Sequence, residues 1–216
     1  MPRRNRVTPF STLIATSARG TFTGNRGCLH DDHEQIRRQF QGKRWITCLL
    51  DFKGRKRSIM SPGHYTELFF LDEATALAAG HRPCAECQRE RFNLFREIWA
   101  KANSEIAGTP RPAATTLDAI LHQERIVTSR QAHRFRNSIE NLPDGVFVTD
   151  DDQIAYLALR NQLLRWSPAG YEHPPVRTIH YPVRVLTPAS VVRTLAAGYP
   201  ANIHSSAFQG IEQSQQ

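Results

Sequence analysis

Long apolar runs and cysteines are both scarce in this chain. No run approaches the roughly 20 apolar residues that cross a bilayer, and the opening residues 1–6 lack the apolar stretch of a signal peptide. We therefore expect a cytoplasmic protein without a membrane partner. The chain has 4 cysteines among 216 residues, too few for a disulfide scaffold. A close pair of cysteines then indicates metal binding.

What the chain does contain is an ordinary globular composition with an uneven charge. Hydrophobic residues make up 40% and charged residues 22%, which suits one large domain or two small ones. Residues 1–60 carry 13 Lys and Arg against 4 Asp and Glu, whereas residues 61–216 carry 15 against 16. Such a basic segment favours a polyanionic partner, first of all DNA, because Lys and Arg displace the counterions around phosphates. The alternative is a basic face that only keeps the protein soluble.

The segment from Lys43 to Leu71 is typical of antiparallel sheet. Apolar side chains alternate along residues 44–52, and this pattern predicts one buried face formed by Ile46, Cys48, Leu50 and Phe52. Cys48 is therefore expected in the core and not as a metal ligand. Asp72 can cap a helix over residues 73–79 that stops at Gly80, and the 3, 4 spacing of apolar residues predicts a second helix over residues 88–102.

A break rich in proline and glycine divides the chain into two predicted domains. Residues 107–115 contain Gly108, Pro110 and Pro112, which prevent a continuous helix or strand. We place domains at 1–106 and 116–208. The second begins with a helix from Thr116 and continues as a β-meander over residues 146–167, a strand at 183–186 and a helix after Pro188. The expected class is α+β, with a small antiparallel sheet, a zinc knuckle and helices, then a mixed segment.

The most specific motif lies between the first two predicted helices. Residues 80–87 read Gly-His-Arg-Pro-Cys-Ala-Glu-Cys, so Cys84 and Cys87 form a C-x-x-C pair. Two thiolates at this spacing can bind one tetrahedral zinc ion from a tight turn, with two further ligands from elsewhere. A redox pair would instead follow a strand and open a helix. The position between helices therefore favours zinc.

Residues 74–90, with this motif at their centre, resemble the second half of the metal-binding domain of Ada-type DNA repair proteins. In that family a helix ends in Gly-x-Arg-Pro-Cys-x-x-Cys, and both cysteines bind zinc. The resemblance implies a small α/β domain that binds DNA and removes methyl groups from its phosphates. One zinc-bound cysteine thiolate of that family accepts the methyl group.

The first half of the family pattern is different here, because the chain has no C-x-x-x-C upstream. It offers Cys28 and His30 in a glycine-flanked loop, and zinc accepts imidazole as readily as thiolate. Competitors for these positions are His33, His64 and His81. Cys28 is the residue that would correspond to the methyl acceptor of the family. An imidazole ligand in place of a thiolate lowers the anionic character of the site. We therefore expect structural zinc and not methyl transfer. The predicted ligands are Cys28, His30, Cys84 and Cys87.

Two further functions stay open beside zinc-dependent DNA binding. Residues 30–33 read His-Asp-Asp-His and could act as a hard-metal or general-base cluster in a nuclease, or form an ordinary turn. Alternatively, the zinc only fixes the fold of a protein-interaction module. For the DNA-binding function, the residues expected to contact phosphates are Arg37, Arg38, Lys43, Arg44, Lys53, Arg55, Lys56 and Arg57.

Overall fold

The computed structural model describes residues 1–54, 58–130, 142–150, 153–172 and 183–209, with side chains of the helix 114–130 described as far as residue 126. Within these ranges the helices are α1 (Glu73–Ala78), α2 (Arg89–Ala102), α3 (Ser104–Ala107), α4 (Ala114–Arg130) and α5 (Ala189–Ala196). A 3-10 turn follows at Ser205–Phe208. No described helix has both the length and the apolar character that crossing a membrane requires.

Two mostly antiparallel sheets accompany these helices, which confirms the α+β class. The first has the order β2-β1-β5-β3-β4-β6, and the second has the order β10-β9-β8-β7-β11. The strands of the first sheet are β1 (Arg4–Val7), β2 (Leu13–Ala15), β3 (Phe22–Asn25), β4 (Ile46–Leu49), β5 (Leu68–Phe70) and β6 (Arg82–Pro83). Those of the second are β7 (Phe147–Thr149), β8 (Tyr156–Leu159), β9 (Gln162–Ser167), β10 (Gly170–Glu172) and β11 (Arg184–Val185).

Strand β4 lies between β3 and β6 in the first sheet. It pairs antiparallel with β3, where Cys48 lies opposite Thr23. On its other side it pairs parallel with the short strand β6, where Thr47 lies opposite Pro83. Because β6 runs directly into the C-x-x-C turn, this pairing brings residues 84–87 beside Cys48.

The sequence predicted the wrong buried face for this strand. Trp45 and Thr47 are the buried residues of the segment, whereas Cys48 is half-buried and Leu50 is 53% exposed. The strand ends at Leu49, so the alternation does not continue to Phe52. The large Trp45 ring packs inward against His81 and two arginines, and since strand side chains alternate between faces, this turns Cys48 outward.

Helix α1 begins and ends where the sequence predicts. The Asp72 side chain accepts a hydrogen bond from the Thr75 backbone N–H at 2.8 Å and so caps the helix. Gly80 follows the helix with a φ of +78°, a left-handed conformation that glycine adopts without a steric penalty. The buried residues of α2 include Phe92, Phe95 and Trp99, as the apolar spacing indicates.

The predicted linker at 107–115 does not separate two hydrophobic cores. One core cluster joins Phe95 and Trp99 of α2 to Leu117 and Leu121 of α4 and to Val148 of the second sheet. Helix α3 occupies the start of the predicted linker, and α4 begins at Ala114, close to the expected start at Thr116. Residues on both sides of the predicted boundary at 107–115 therefore pack against one another.

Polar contacts also join α1 to the C-terminal part of the chain. The Tyr171 hydroxyl donates a hydrogen bond to the Asp72 carboxylate at 2.7 Å, and the Tyr199 hydroxyl donates one to Glu73 at 2.6 Å. Both tyrosines are buried. Both aromatic rings therefore lie in the interior.

Candidate metal site

Three cysteines from separate parts of the sequence meet at the edge of the first sheet. Cys48 lies on β4, and Cys84 and Cys87 lie in the turn between β6 and α2. Their Sγ atoms are all within 4.8 Å of one another. Cys84 is buried, whereas Cys48 and Cys87 are half-buried. Three thiols at this separation can hold one metal ion.

Backbone hydrogen bonds fix the turn that carries Cys84 and Cys87. The Cys84 N–H donates to the Thr47 carbonyl at 2.9 Å, which continues the β4–β6 pairing. The Gln88 N–H donates to the Cys84 carbonyl at 3.1 Å, and the Gln88 side-chain amide donates to the Thr47 carbonyl at 2.8 Å. Strand and turn therefore hold the thiols together through the backbone itself.

The surroundings of Cys84 favour its thiolate form. Hydrogen bonds from the thiols of Cys48 and Cys87, together with the backbone N–H groups of Cys87 and Glu86, hold the pKa of Cys84 far below its ordinary value. The Glu86 N–H lies 3.4 Å from the Cys84 Sγ. The same contact with Cys84 raises the pKa of Cys48. The pKa of Cys87 is raised as well, so a metal ion that binds all three sulfurs must displace the protons of both Cys48 and Cys87.

Of the four ligands predicted from sequence, the structure brings only Cys84 and Cys87 together. The His30 ring lies within hydrogen-bond distance of the Thr66 hydroxyl (2.6 Å) and the Ser61 carbonyl (3.2 Å), and the Cys28 Sγ contacts the His30 carbonyl at 3.6 Å. Neither belongs to the cysteine group. In the described part of the chain, no histidine, aspartate, glutamate or further cysteine joins these three sulfurs.

Sequence reasoning missed Cys48 because it assigned the strand to the wrong face. The buried tryptophan three residues earlier is the signal that points to the alternative assignment. With Trp45 and Thr47 inward, the alternation of a strand places Cys48 on the opposite face. The parallel pairing of β4 with residues 82 and 83 cannot be predicted from any local sequence pattern.

The sequence His30 to His33 forms a turn. One Asp31 carboxylate oxygen accepts hydrogen bonds from the backbone N–H groups of His33 (2.9 Å) and Gln35 (3.0 Å), and the other accepts one from the Arg37 guanidinium at 2.6 Å. These contacts, led by the one from Gln35, lower the pKa of Asp31 to about 2. Over the described ranges the cysteine trio is the one group of three or more ligand side chains close enough to bind one metal ion, and residues 30–33 do not form such a group.

The basic residues singled out in the sequence have different surroundings. The side chains of Arg37, Arg38, Lys43, Arg44 and Lys53 are exposed. Arg37 forms an ion pair with Asp31 at 2.6 Å. The remaining three predicted contacts, Arg55, Lys56 and Arg57, lie outside the described residues.

Comparisons with known proteins identify no relative. No protein-family model, curated protein or solved structure matches the chain. The resemblance of residues 74–90 to the Ada-type metal-binding domain therefore stays a prediction, and the function has to be argued from the residues.

Proposed function

We propose that this chain is a zinc protein that binds nucleic acid, with DNA as the expected partner. The observation that carries the proposal is the convergence of Cys48, Cys84 and Cys87 within 4.8 Å. The metal would fix the junction of β4, β6 and α2. The exposed basic residues on both sides of β4 would contact phosphates.

Zinc is the metal that suits these donors best. Thiolate sulfur selects zinc, copper(I) or iron–sulfur clusters over magnesium, calcium and manganese. Zinc in structural sites takes four ligands in tetrahedral geometry, most of them from Cys and His. Cys48, Cys84 and Cys87 would supply three of these ligands, and a solvent or substrate atom is a candidate for the fourth.

The nucleic-acid part of the proposal rests on exposed charge next to the cysteine strand. Lys43 and Arg44 precede β4, and Lys53 follows it by four residues, all three with exposed side chains. Charges that flank one short strand can present a continuous basic surface. Such a surface binds phosphates without reading the base sequence.

We expect replacement of Lys43, Arg44 and Lys53 together by glutamine to weaken duplex DNA binding at every sequence tested. Each lost phosphate contact should lower the slope of log affinity against log salt by roughly one unit. Fluorescence anisotropy with two unrelated duplexes across a salt series measures this. Zinc content should not change.

The matched control removes three exposed positive charges elsewhere, at Lys101, Arg111 and Arg165. This variant should keep the salt slope of the wild type. If both triple variants weaken binding equally, only net charge matters and the proposed surface is wrong. If the wild-type protein binds neither duplex nor single-stranded DNA at low salt, a protein-interaction module replaces the nucleic-acid proposal.

A second candidate function is methyl acceptance by a zinc-bound thiolate, and the convergence of three thiols supports it. Three thiolates on one Zn²⁺ leave the site with a net negative charge, and thiolate is the nucleophilic form of cysteine. The sulfur would attack the methyl carbon of a phosphate triester. The S–C bond forms as the C–O bond breaks, and the phosphodiester leaves as an anion.

We expect incubation of the zinc-loaded protein with methylphosphotriester DNA to add one methyl group to one cysteine of the trio. Intact-mass spectrometry detects the added mass, and peptide mapping locates it. Cys28 provides the internal control, because its thiol lies outside the trio. Unmodified protein after prolonged incubation, or methylation of Cys28 to the same extent, would rule out this second candidate.

A further inference from the structure

Two buried arginines lie against the same tryptophan on the inner side of β4. The guanidinium carbon of Arg125 is 4.0 Å from the centroid of the Trp45 ring, and that of Arg26 is 4.7 Å from it. Arg125 is 8% exposed and Arg26 is 1% exposed. Arginine stacks well on aromatic rings, yet a ring does not neutralise two buried positive charges.

Among the described residues, most nitrogens of these two guanidinium groups have no hydrogen-bond acceptor. None of the three side-chain nitrogens of Arg125 has a hydrogen-bond partner among the described residues. Arg26 donates to the hydroxyl and the carbonyl of Ser11 at 2.7 and 2.9 Å, but its Nε is unpaired in the same part of the chain. Unpaired buried charges are strongly unfavourable unless a partner satisfies them.

The two carboxylates that interact electrostatically with Arg125 already bind other groups. Asp118 binds Arg82 through two hydrogen bonds of 2.8 and 2.9 Å. Glu124 accepts hydrogen bonds from the backbone N–H and hydroxyl of Ser190 at 3.0 and 2.6 Å. Burial, with a contribution from Arg26, therefore lowers the pKa of Arg125 to about 9 in spite of both acids.

A neutral histidine completes the surroundings. Both ring nitrogens of His81 are buried, and the backbone of Ala76 and Ala79 lies next to them. Burial and the two arginines lower its pKa well below the ordinary value, so His81 keeps one donor and one acceptor. Its ring centroid lies 5.2 Å from that of Trp45. Gly80 leaves room for Arg125, because a Cβ at that position would lie 2.0 Å from the Arg125 Nε.

This cluster lies next to an opening at the surface. A cavity of about 410 Å³ is lined by Lys43, His122 and Gln123, among others. The His122 ring packs edge-on against Trp45, with centroids 5.9 Å apart. Lys43 is exposed and adds a positive charge at the mouth of the cavity. His122 therefore lines the cavity and also contacts the ring on which both arginines stack.

We propose that Arg125, Arg26 and Trp45 form a binding site for a phosphate group, reached through the cavity beside Lys43 and His122. Phosphate fits these donors because guanidinium groups bind its oxygens in pairs, and a dianion would neutralise both arginines. The phosphate could be the free ion or the terminal monoester of a nucleic acid. The site does not depend on zinc, and it shares only Lys43 with the proposed DNA surface.

The test is a titration of the full-length protein with inorganic phosphate at low ionic strength, with chloride at matched ionic strength as the reference. We expect saturable binding of one phosphate in calorimetry and a rise in Tm, since a ligand of the native state stabilises it. Arg125→Met should weaken binding roughly 10- to 100-fold, the effect of losing charged hydrogen bonds. The exposed Arg160→Met variant should bind like the wild type.

Two further measurements keep the test decisive. Arg125→Lys retains the charge and should bind phosphate with reduced affinity, which covers the case in which Arg125→Met does not fold. Competition by a 5′-phosphorylated oligonucleotide, but not by its unphosphorylated form, would identify a nucleic acid end as the source of the phosphate. If neither oligonucleotide displaces bound inorganic phosphate, the ligand is the free ion. Absence of binding to wild type, or unchanged affinity in Arg125→Met and Arg125→Lys, overturns the proposal.

Discussion

Replacement of Cys48 by serine is expected to abolish stoichiometric zinc in the purified protein. The reason is geometric, because the Sγ atoms of Cys48, Cys84 and Cys87 lie within 4.8 Å of one another. Structural zinc binding is worth about 10–16 kcal/mol over four ligands, so the loss of one thiolate should lower affinity roughly 100-fold or more. Elemental analysis gives the stoichiometry, and competition with a chromophoric chelator gives the affinity.

Cys28→Ser is the matched control, since it removes one thiol outside the trio. We expect this variant to keep one zinc per chain, and we expect the same of the separate variant His30→Gln. If Cys28→Ser loses zinc while Cys48→Ser retains it, then the ligands predicted from sequence are correct and those indicated by the structure are not. A wild-type protein without stoichiometric zinc would contradict the zinc proposal itself.

The parts of the site that the sequence predicts correctly depend on local signals. The cap at Asp72 and the stop at Gly80 place the first helix, and the spacing of Phe92, Phe95 and Trp99 places the second. Helix α2 follows the C-x-x-C turn, but the strand β6, which was not predicted, lies between α1 and the turn. The predicted position of the motif between two helices, which favoured zinc over a redox pair, is therefore wrong. Short-range hydrogen bonds and helical spacing are sufficient for the two helices.

The third cysteine was not predictable in the same way. Cys48 lies 36 residues before Cys84, and the two meet because β4 pairs in parallel with residues 82 and 83. That pairing depends on how the whole sheet is ordered. A strand also has two faces, and a shift of one residue in the assignment exchanges them. The apolar alternation through Leu50 predicted that Cys48 lies on the buried face. The buried Trp45 instead places Cys48 on the opposite face of the strand.

The charge distribution shows a second limit of sequence reasoning. Arg26 belongs to the basic segment 1–60, yet it is 1% exposed and stacks on Trp45. Arg82 and Arg125 are buried as well. A count of charges treats every arginine as surface, although the long side chain of arginine also packs against rings and buried acids. The exposed basic surface is therefore smaller than the sequence total indicates.

Replacement of Asp118 by alanine is expected to lower the free energy of unfolding by about 3–5 kcal/mol, the typical cost of leaving a buried charge without its partner. Asp118 binds the Arg82 guanidinium through two hydrogen bonds of 2.8 and 2.9 Å. Both side chains are almost completely buried, at 3% and 6% exposed. Chemical denaturation of the zinc-loaded protein measures the change.

The exposed ion pair between Arg3 and Glu34 is the control, because the two side chains are 45% and 40% exposed. Water screens such a pair, so Glu34→Ala should leave the unfolding midpoint nearly unchanged. The double variant Arg82→Met, Asp118→Leu removes both charges and should be more stable than Asp118→Ala, because no buried charge is then left unpaired. An Asp118→Ala variant as stable as Glu34→Ala would show that Arg82 does not need its carboxylate. The position of β6, directly before Cys84, would then have to rest on other contacts, including that of the Arg82 guanidinium with the Phe92 ring of α2 at 4.9 Å.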